Sequence, residues 1–518
     1  MNMKKQSRTK PVRSLVTIGE EDLTVDQVAA VARGNARVAI STRKDFLGRL
    51  KRSEEVLRRT LNAGDPIYGV TTGYGAACGN RIKKHNTEEL GDNLIKYHGC
   101  GTGQPLGEEE TRAAMVCRLA CFARGYSGVS AGLLHALAAL LNKGITPIVP
   151  SLGSVGASGD LTPMSYIAAC LAGDRDVLYK GRRMNAGTAL ARAGLRKYRF
   201  LPKEPLGMMN GTSVMTGIAA LVLQKSRVIA DAAVAATALS LHALMGHERH
   251  FHPTVTDSKH HPGQSLTGNM LRDLLACTDC PEESSREDDL QDPYSVRCSP
   301  QVIGVAYDAL AWIEQWVYRE INSANDNPLA DGDNNEMFMG GNFYGGHIAF
   351  AMDALKSALA SVADMADRQM ALLVDPRFNR GLPANLVNVK GEKQVLNHGF
   401  KGMQITASAL TAEALKNTMP AASFSRSTES HNQDKVSMGT IAARDAALQC
   451  ELAGRVVAIH LMASVQAFEL RGDLASRPKL AAIVREVRRV VRATVYDRTM
   501  DKDIEALTRA LPDVVSSL

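Results

Sequence analysis

Four polar stretches of this 518-residue sequence carry the side chains best suited to chemistry. They contain Tyr68 in YGVTTGYG, Ser158 in GASGD, Tyr294 and Arg297 in QDPYSVRCSP, and Glu429 in ESHNQDKVSMG. Hydroxyl and carboxylate groups can move protons or act as nucleophiles, and a guanidinium can bind an anion. Any one of these stretches is equally consistent with an ordinary polar loop.

The triplet Ala157-Ser158-Gly159 can do chemistry that its side chains alone cannot. In a tight bend, the backbone nitrogen of Gly159 can attack the carbonyl carbon of Ala157, because glycine has no side chain in the way and tolerates unusual backbone angles. Loss of two waters, one of them from the Ser158 side chain, leaves 4-methylideneimidazole-5-one (MIO), a ring with an exocyclic methylene. This ring is an electrophile, a kind of group that natural side chains hardly supply. The triplet therefore predicts a reaction that needs an electron sink without a bound cofactor.

The spacing of candidate residues disfavours three well-known functional motifs. A serine-hydrolase nucleophile elbow needs glycine two residues after the serine, where this sequence has Asp160. A dinucleotide fingerprint needs G-x-G after a strand, and GSVGASG lacks it. A zinc-binding HExxH motif is not formed by HALMGHERHFH, because Phe251 occupies the second ligand position. We therefore predict no metal site.

Composition and charge indicate a globular protein of the cytoplasm. Hydrophobic residues make up 45% and charged residues 22% of the sequence, and the net charge of +7 is too weak to indicate a nucleic-acid partner. Nine scattered cysteines favour free thiols in a reducing compartment. We find neither a signal-peptide pattern nor an uninterrupted apolar run long enough to span a bilayer, so we expect no membrane partner.

Helical periodicity dominates the elements that must position these motifs. It is present over 25–63, 108–142 with a break around RGYSG, 212–246, 301–323, 346–374, 403–418 and 436–471. The segments 212–246 and 436–471 are apolar around most of their circumference, which is typical of helices buried inside a bundle. Residues 66–80 are predicted to form a glycine-rich loop, and residues 254–300 a long polar surface connector.

We predict a mainly α protein in three parts. Residues 1–20 form a disordered basic tail, residues 21–210 an N-terminal domain that carries the triplet, and residues 211–518 a central and C-terminal helical bundle. Strand patterns are few and short, for example DVLYKG near residue 176.

Seven stretches, in order, resemble the MIO-dependent aromatic amino acid ammonia-lyases and 2,3-aminomutases, a family that includes histidine, tyrosine and phenylalanine ammonia-lyases. The stretches are YGVTTGYG, GSVGASGDL, MNGTSVMTG, QDPYSVRCSPQ, NSANDNPL, GGNFYGG and HNQDKVSMG. The resemblance implies a fumarase/aspartase-like fold, in which a long helical bundle follows the MIO-bearing domain. It also implies a homotetramer whose active sites draw on three chains, with a small aromatic amino acid as substrate and no external cofactor.

The resemblance also assigns roles. Ala157, Ser158 and Gly159 would form the MIO group by themselves, Tyr68 matches the base that removes the β-proton, and Arg297 matches the clamp for the substrate carboxylate. Residues expected beside the ring or the substrate are Asn210, Gln291, Tyr294, Asn327, Phe343, Glu429, Asn432 and Gln433. A free tyrosine has a pKa of about 10, so we expect the site to stabilise the Tyr68 phenolate with helix N-termini. Residues 69–79 would form a mobile lid that excludes water.

The resemblance leaves the substrate and the final product open. Histidine enzymes carry glutamate where this sequence has Gln433, and a neutral amide suits a phenyl or phenol ring better than an imidazole. Tyr97 and His98 stand at the ring end of the pocket, and this pair departs from the pairs of the known groups. A buried polar pair favours the tyrosine hydroxyl, since leaving it unpaired costs about 1–3 kcal/mol. If His98 is tied to the backbone instead, phenylalanine would serve equally well.

We therefore predict a carbon–nitrogen lyase that converts L-tyrosine to trans-p-coumarate and ammonia. The alternatives are a phenylalanine ammonia-lyase that forms cinnamate, a tyrosine 2,3-aminomutase, a histidine ammonia-lyase, and a helical scaffold or binding protein on the same fold. A lyase and an aminomutase differ in how long the product stays bound, and no residue pattern in the sequence indicates that time.

Overall fold

The computed structural model describes residues 14–277, 290–472 and 475–516. Long α-helices make up most of these residues, so the prediction of a mainly α protein is confirmed. The expectations for residues 1–13 and for the segment PEESSREDD fall outside the described residues.

Eighteen α-helices follow one another along the described residues. They are α1 (Val25–Ala32), α2 (Lys44–Ala63), α3 (Thr87–Tyr97), α4 (Glu108–Ala123), α5 (Ala131–Lys143), α6 (Leu161–Leu171), α7 (Ala186–Arg192), α8 (Glu204–Met209), α9 (Ser213–Ala243), α10 (Pro253–Asp257), α11 (Pro262–Leu274), α12 (Tyr294–Arg297), α13 (Ser299–Ile321), α14 (Gly346–Val374), α15 (Lys401–Lys416), α16 (Gly439–Arg471), α17 (Pro478–Val490) and α18 (Asp501–Val514).

The strands are short and form four small sheets. They are β1 (Ser14–Ile18), β2 (Ala36–Ile40), β3 (Thr102–Pro105), β4 (Ile145–Pro147), β5 (Pro150–Leu152), β6 (Asp176–Tyr179), β7 (Arg182–Asn185), β8 (Leu329–Asp331) and β9 (Glu336–Phe338). Strands β1 and β2 pair in parallel, because α1 crosses between them. The pairs β3–β5 and β8–β9 and the three-stranded sheet β4–β6–β7 are antiparallel.

The chain forms two compact units. Unit 1 contains residues 14–221, 316–350 and 421–443 of the described chain, and all the strands named above. Helix α4 lies in its core, where every residue from Thr111 to Ala123 is buried. Unit 1 also contains the triplet and the first residues of α9 and α16, which form its immediate surroundings.

Unit 2 contains the described residues of 222–315, 351–420 and 444–518. Residues 232–236 of α9 and 456–459 of α16 are fully buried. Because successive helical residues point about 100° apart, such runs mean burial around the whole circumference, as predicted for these two segments. By length and composition α16 could cross a membrane, but 78% of its most apolar window is buried inside the protein, which is typical of a core helix.

Four predictions need correction. Residues 14–18 form strand β1, so the predicted disordered tail does not extend to residue 20. Residues 25–63 are not one helical segment, because β2 pairs with β1 between α1 and α2. The polar connector contains helices α10 and α11, which pack on each other. Cys277 forms a disulfide, so the prediction of free thiols holds for the other described cysteines but not for this one.

Candidate active site

The loop that carries the triplet lies against the segment that precedes α16. The N–H of Met438 donates to the carbonyl of Val155 at 3.0 Å, and the N–H of Ser437 donates to the carbonyl of Gly156 at 3.4 Å. The Ser437 hydroxyl also donates to the Gly156 carbonyl, at 3.2 Å. The residues before the triplet are therefore fixed by a distant part of the chain, 281 positions away.

Gly159 faces the backbone of Gly211 so closely that no side chain fits. Its φ is +74°, and a Cβ added there would lie 2.0 Å from the Gly211 carbonyl oxygen. The N–H of Asp160 donates to this same oxygen at 2.7 Å, and the N–H of Gly211 donates back to the carbonyl of Ser158 at 3.2 Å. Only glycine combines this left-handed conformation with so near an approach of two backbones.

Asp160 is a buried carboxylate that connects helix N-termini around the triplet. Its Oδ2 accepts the N–H groups of Val214 and Met215, in the first turn of α9, at 2.8 and 3.0 Å. Its Oδ1 accepts a short hydrogen bond from the Thr440 hydroxyl, in the first turn of α16, and α6 begins at the next residue. Burial raises the pKa of Asp160 to about 6, against the lowering effect of these donors. Sequence reasoning missed this role, and its only signal was an acid at the start of α6.

The carbonyl and hydroxyl of Ser158 both accept side-chain hydrogen bonds. The amide nitrogen of Asn210 donates to the Ser158 carbonyl at 3.1 Å, and the amide nitrogen of Gln433 donates to the Ser158 hydroxyl at 3.2 Å. Two donors, Asn210 and the N–H of Gly211, thus point at the oxygen that would be the carbonyl of an MIO ring. The triplet and its surroundings therefore fit an MIO group: Gly159 leaves room for the attack, and the ring oxygen would be polarised.

We call Asn210, Gly211, Val214, Met215 and the segment 437–440 the bed of the triplet. Asn210 and Met215 are buried, and the side-chain oxygen of Asn210 is buried without a hydrogen-bond partner among the described residues. Such an orphaned acceptor is expected beside a ligand rather than in a finished core.

Tyr68 stands at the start of the lid loop, residues 69–79, and is held by it. Its phenol oxygen accepts the N–H of Gly75 at 2.8 Å, and its ring meets the Tyr74 ring edge-on at 6.5 Å. The N–H of Ala76 donates to both carboxylate oxygens of Glu429, at 3.1 and 3.2 Å. The lid loop therefore contacts the motif that also reaches Ser158 through Gln433.

The expected stabilisation of a Tyr68 phenolate is not found in this unit. Burial raises the pKa of Tyr68, the negative charge of Glu429 raises it further, and the Gly75 N–H lowers it. Burial likewise raises the pKa of Tyr97 to about 12. The described surroundings therefore favour the protonated phenol, contrary to our expectation of an electropositive pocket around the base.

The ring-end pair is placed differently from the buried polar pair that we expected. Tyr97 is 55% exposed, and its ring packs on the His98 ring at 4.4 Å. Nδ1 of the half-buried His98 lies 3.0 Å from the Leu94 carbonyl oxygen, which can only accept. Nδ1 therefore carries the proton, and since burial lowers the pKa of His98, Nε2 remains an acceptor.

Three other predicted residues, Asn327, Phe343 and Asn432, lie in loops of unit 1. The buried Asn327 accepts the N–H of Gly340 at 2.8 Å and so ties NDNPL to the glycine-rich stretch that contains the half-buried Phe343. The exposed Asn432 donates its N–H to the Glu429 carbonyl at 3.0 Å. Residues 429–431 all have positive φ, which turns this segment sharply between Thr428 and Gln433.

The remaining predicted residues belong to unit 2. Gln291 and Tyr294 are exposed, and the guanidinium carbon of Arg297 lies 4.6 Å from the centroid of the Tyr294 ring. Tyr294 and Arg297 are the two ends of the single-turn helix α12. Nε of Arg297 is buried and has no hydrogen-bond partner among the described residues, so this group retains a donor for an anionic ligand.

Comparison with known proteins gives one consistent result. The family model described as aromatic amino acid lyase matches residues 23–489. A histidine ammonia-lyase of Treponema denticola is 37% identical over 489 residues, 94% of this chain and 95% of the relative. A phenylalanine ammonia-lyase of Nostoc punctiforme is also 37% identical, over 88% of this chain and 82% of the relative. Among solved structures, a tyrosine aminomutase from Streptomyces globisporus superimposes with a TM-score of 0.90 at 35% identity, covering 96% of this chain and 97% of that one.

Proposed function

Since this chain belongs to the aromatic amino acid lyase family and is a carbon–nitrogen lyase, we propose that it eliminates ammonia from L-tyrosine to give trans-p-coumarate. The observation that supports this most is the arrangement of the triplet in its bed. Gly159 packs on Gly211, and the Ser158 carbonyl receives two hydrogen bonds. A scaffold protein on the same fold would have no need for a glycine pressed against a backbone or for an orphaned Asn210 oxygen.

The MIO group, formed from Ala157, Ser158 and Gly159, would supply an electrophilic methylidene carbon that withdraws electrons from the substrate. Tyr68 would take the β-proton on its phenol oxygen, which the Gly75 N–H holds in place. Arg297 would bind the substrate carboxylate, for which its buried Nε is an available donor. Asn210 and Gln433 would keep the triplet in position.

Ring-end chemistry supports tyrosine over phenylalanine. The backbone does hold His98, which is the arrangement in which we expected phenylalanine to serve equally well, but it holds only Nδ1 and leaves Nε2 as an acceptor. A phenol O–H can donate to that nitrogen and a phenyl ring cannot, so a site built for the hydroxyl rejects the analogue that lacks it. Gln433 argues against histidine, because a neutral amide stands where histidine enzymes carry a carboxylate, and it favours tyrosine and phenylalanine equally.

Histidine is the second candidate substrate. Relatives at 37% and 36% identity are histidine ammonia-lyases, and the imidazole N–H of histidine could also donate to Nε2 of His98. Release of the arylacrylate as product, rather than return of the amine to the β-carbon, is part of the proposal. The proposal also includes a homotetrameric assembly and a cytoplasmic location.

The proposal is tested by comparing kcat/KM for tyrosine, phenylalanine and histidine, with the products separated by chromatography. We expect tyrosine to be favoured over phenylalanine by at least about tenfold, and His98→Leu to shift the preference towards phenylalanine. A tenfold preference of the unaltered protein for phenylalanine contradicts the role of His98. A β-amino acid as the main product contradicts the lyase assignment.

A second measurement separates the enzyme from a scaffold. The purified protein should show the near-ultraviolet absorbance of the prosthetic group and need no added cofactor. Ser158→Ala should lose both this absorbance and the activity while its unfolding transition is retained. A folded Ser158→Ala variant with full activity would exclude the proposed chemistry.

A further inference from the structure

The buried amide of Gln369 reaches the helix that carries Arg297. Gln369 lies on α14 and is fully buried. Its Nε2 donates to the carbonyl of Ser295 at 2.7 Å, and its Oε1 accepts the hydroxyl of Thr237, on α9, at 3.0 Å. Both ends of the amide are therefore used, and the hydrogen bonds join two long helices to the single turn of α12.

Ser295 lies in α12 between Tyr294 and Arg297, so a hydrogen bond to its carbonyl constrains the orientation of this helix. A helix of one turn cannot satisfy its own last carbonyls. Within α12 the Pro293 carbonyl accepts from Val296 and Arg297, and the Tyr294 carbonyl accepts from Cys298. The Ser295 carbonyl is bonded instead by Gln369, which makes a core residue the support of this short helix.

A second anchor holds the start of the same segment. The Asp292 carboxylate accepts the N–H of His247 at 2.6 Å, and the N–H of Asp292 donates to Nε2 of His250 at 3.2 Å. This anchor fixes the chain two residues before Tyr294. The hydrogen bond from Gln369 acts within α12 itself, so it restrains the orientation of this helix and with it the direction of the Arg297 side chain.

We propose that Gln369 is a positioning residue for the Arg297 guanidinium, acting through the Ser295 carbonyl. This inference rests on the proposed role of Arg297 as the substrate-carboxylate clamp. A clamp must be held within a fraction of an ångström to bind a carboxylate with its planar fork, and its own side chain is too flexible to achieve this alone. Loss of the Gln369 amide should therefore weaken carboxylate binding more than it slows the chemical step.

Gln369→Met tests this, because methionine keeps the volume of glutamine and removes both hydrogen bonds. We expect KM for the substrate and the inhibition constant of trans-p-coumarate to rise about tenfold, with kcat changed by less than about threefold. Gln466→Met is the matched control, since Gln466 is equally buried and donates to the Thr494 carbonyl at 2.9 Å, in another part of unit 2. It should lower stability to a similar degree and leave both constants unchanged.

The double variant with Arg297→Met separates positioning from general damage. If Gln369 acts through Arg297, then Gln369→Met should add nothing further to KM or to the inhibition constant once Arg297 is replaced. Equal effects of Gln369→Met in the presence and absence of Arg297 would overturn the inference, as would an unchanged inhibition constant in Gln369→Met. If Arg297→Met itself leaves the inhibition constant unchanged, the clamp role in the proposed function is wrong, which is a distinct result.

Discussion

The bed of the triplet and the lid loop are built on opposite principles. In the bed, Gly159 meets the Gly211 carbonyl oxygen, and Asp160 is fully buried under donors from two helix N-termini. In the lid loop, residues 76–80 are exposed, and a Cβ added at Gly79 would meet nothing within 4 Å. The triplet is thus held by packing that excludes alternatives, whereas Tyr68, the proposed base, is attached to a loop whose far end, residues 76–80, is exposed.

The difference between the two regions indicates which chemical step needs precisely fixed atoms. Ring formation from a peptide requires one nitrogen to be pressed towards one carbonyl carbon, which a rigid surrounding provides. Proton removal requires a base that approaches the substrate after it has entered, which a loop with an exposed end permits. Substitutions in the two regions should therefore differ in kind as well as in size.

The largest effect is expected for Gly159→Ala. The added methyl group would lie 2.0 Å from the Gly211 carbonyl oxygen at a φ of +74°, so the bed must open and the triplet can no longer bend. We expect loss of the near-ultraviolet absorbance and of detectable turnover. Absorbance and turnover close to those of the unaltered protein would show that the bed is not rigid.

Tyr68→Phe should follow, with a decrease in kcat of about 10²–10⁴-fold, the usual contribution of a general base. Because burial raises the pKa of Tyr68 above its ordinary value, the active phenolate is scarce at neutral pH, and kcat should rise about tenfold per pH unit between about pH 7 and 9.5.

The effect of Tyr68 ionisation on stability does not interfere with this measurement of kcat. The pKa of Tyr68 is higher in the folded than in the unfolded protein, so its contribution to stability is present below about pH 10 and is lost only as the pH rises through the folded value. A flat kcat profile, or the same slope in Tyr68→Phe, would contradict the assignment of Tyr68 as the base.

Thr440→Val should have an intermediate effect, which we expect mainly in the free energy of unfolding. Valine keeps the shape of this buried residue and removes its hydrogen bonds to the Asp160 carboxylate and to the Ser154 hydroxyl. The charged bond to Asp160 is the larger contribution, about 1.5–3 kcal/mol at about pH 7.5. This hydrogen bond lowers the pKa of Asp160, so its removal raises the folded-state pKa, and the deficit should grow as the pH rises through about 6.

Urea unfolding at about pH 5 and about pH 7.5 measures that deficit. Thr411→Val is the control, because the Thr411 hydroxyl is buried without a hydrogen-bond partner among the described residues. It should leave the free energy of unfolding unchanged or slightly higher. Equal losses of unfolding free energy in the two variants would mean that the hydrogen bond from Thr440 to Asp160 does not stabilise the fold.

The smallest effect is expected for Gly79→Ala, at the open end of the lid loop. No neighbour hinders the added methyl group, so we expect a change in the free energy of unfolding within about 0.5 kcal/mol and in kcat within about twofold. Gly75→Ala in the same loop should be worse, because its Cβ would lie 2.2 Å from the Glu429 carboxylate at a φ of +53°. Equal kcat values in the two variants would show that the lid adapts freely.

The sequence was most informative where chemistry is local. Three adjacent residues, 157–159, were enough to propose an electrophile, which stays a prediction, and the period of 346–374 predicted α14. It was least informative where distant residues meet. The partners of Asp160 lie 54 and 280 positions away, and no local pattern encodes that distance.

The missed strand has a similar cause. Val38 and Ile40 fit a helical period as well as an alternating one, and only pairing with residues 14–18 decides in favour of β2. The pKa of Tyr68 could not be predicted either, because it depends on how deeply the ring is buried and on Glu429, which is far along the chain. Substrate preference likewise depends on a tautomer of His98 that the Leu94 carbonyl selects.

The distance of 280 positions between Asp160 and Thr440 also sets an order in time. A ribosome that has just released Ala157-Ser158-Gly159 must still synthesise more than half of the protein before the hydroxyl that completes the bed exists. Until then the nascent chain carries an ordinary peptide at this point, with no support to bend it. A truncated or stalled product would therefore lack the support that the proposed ring formation needs.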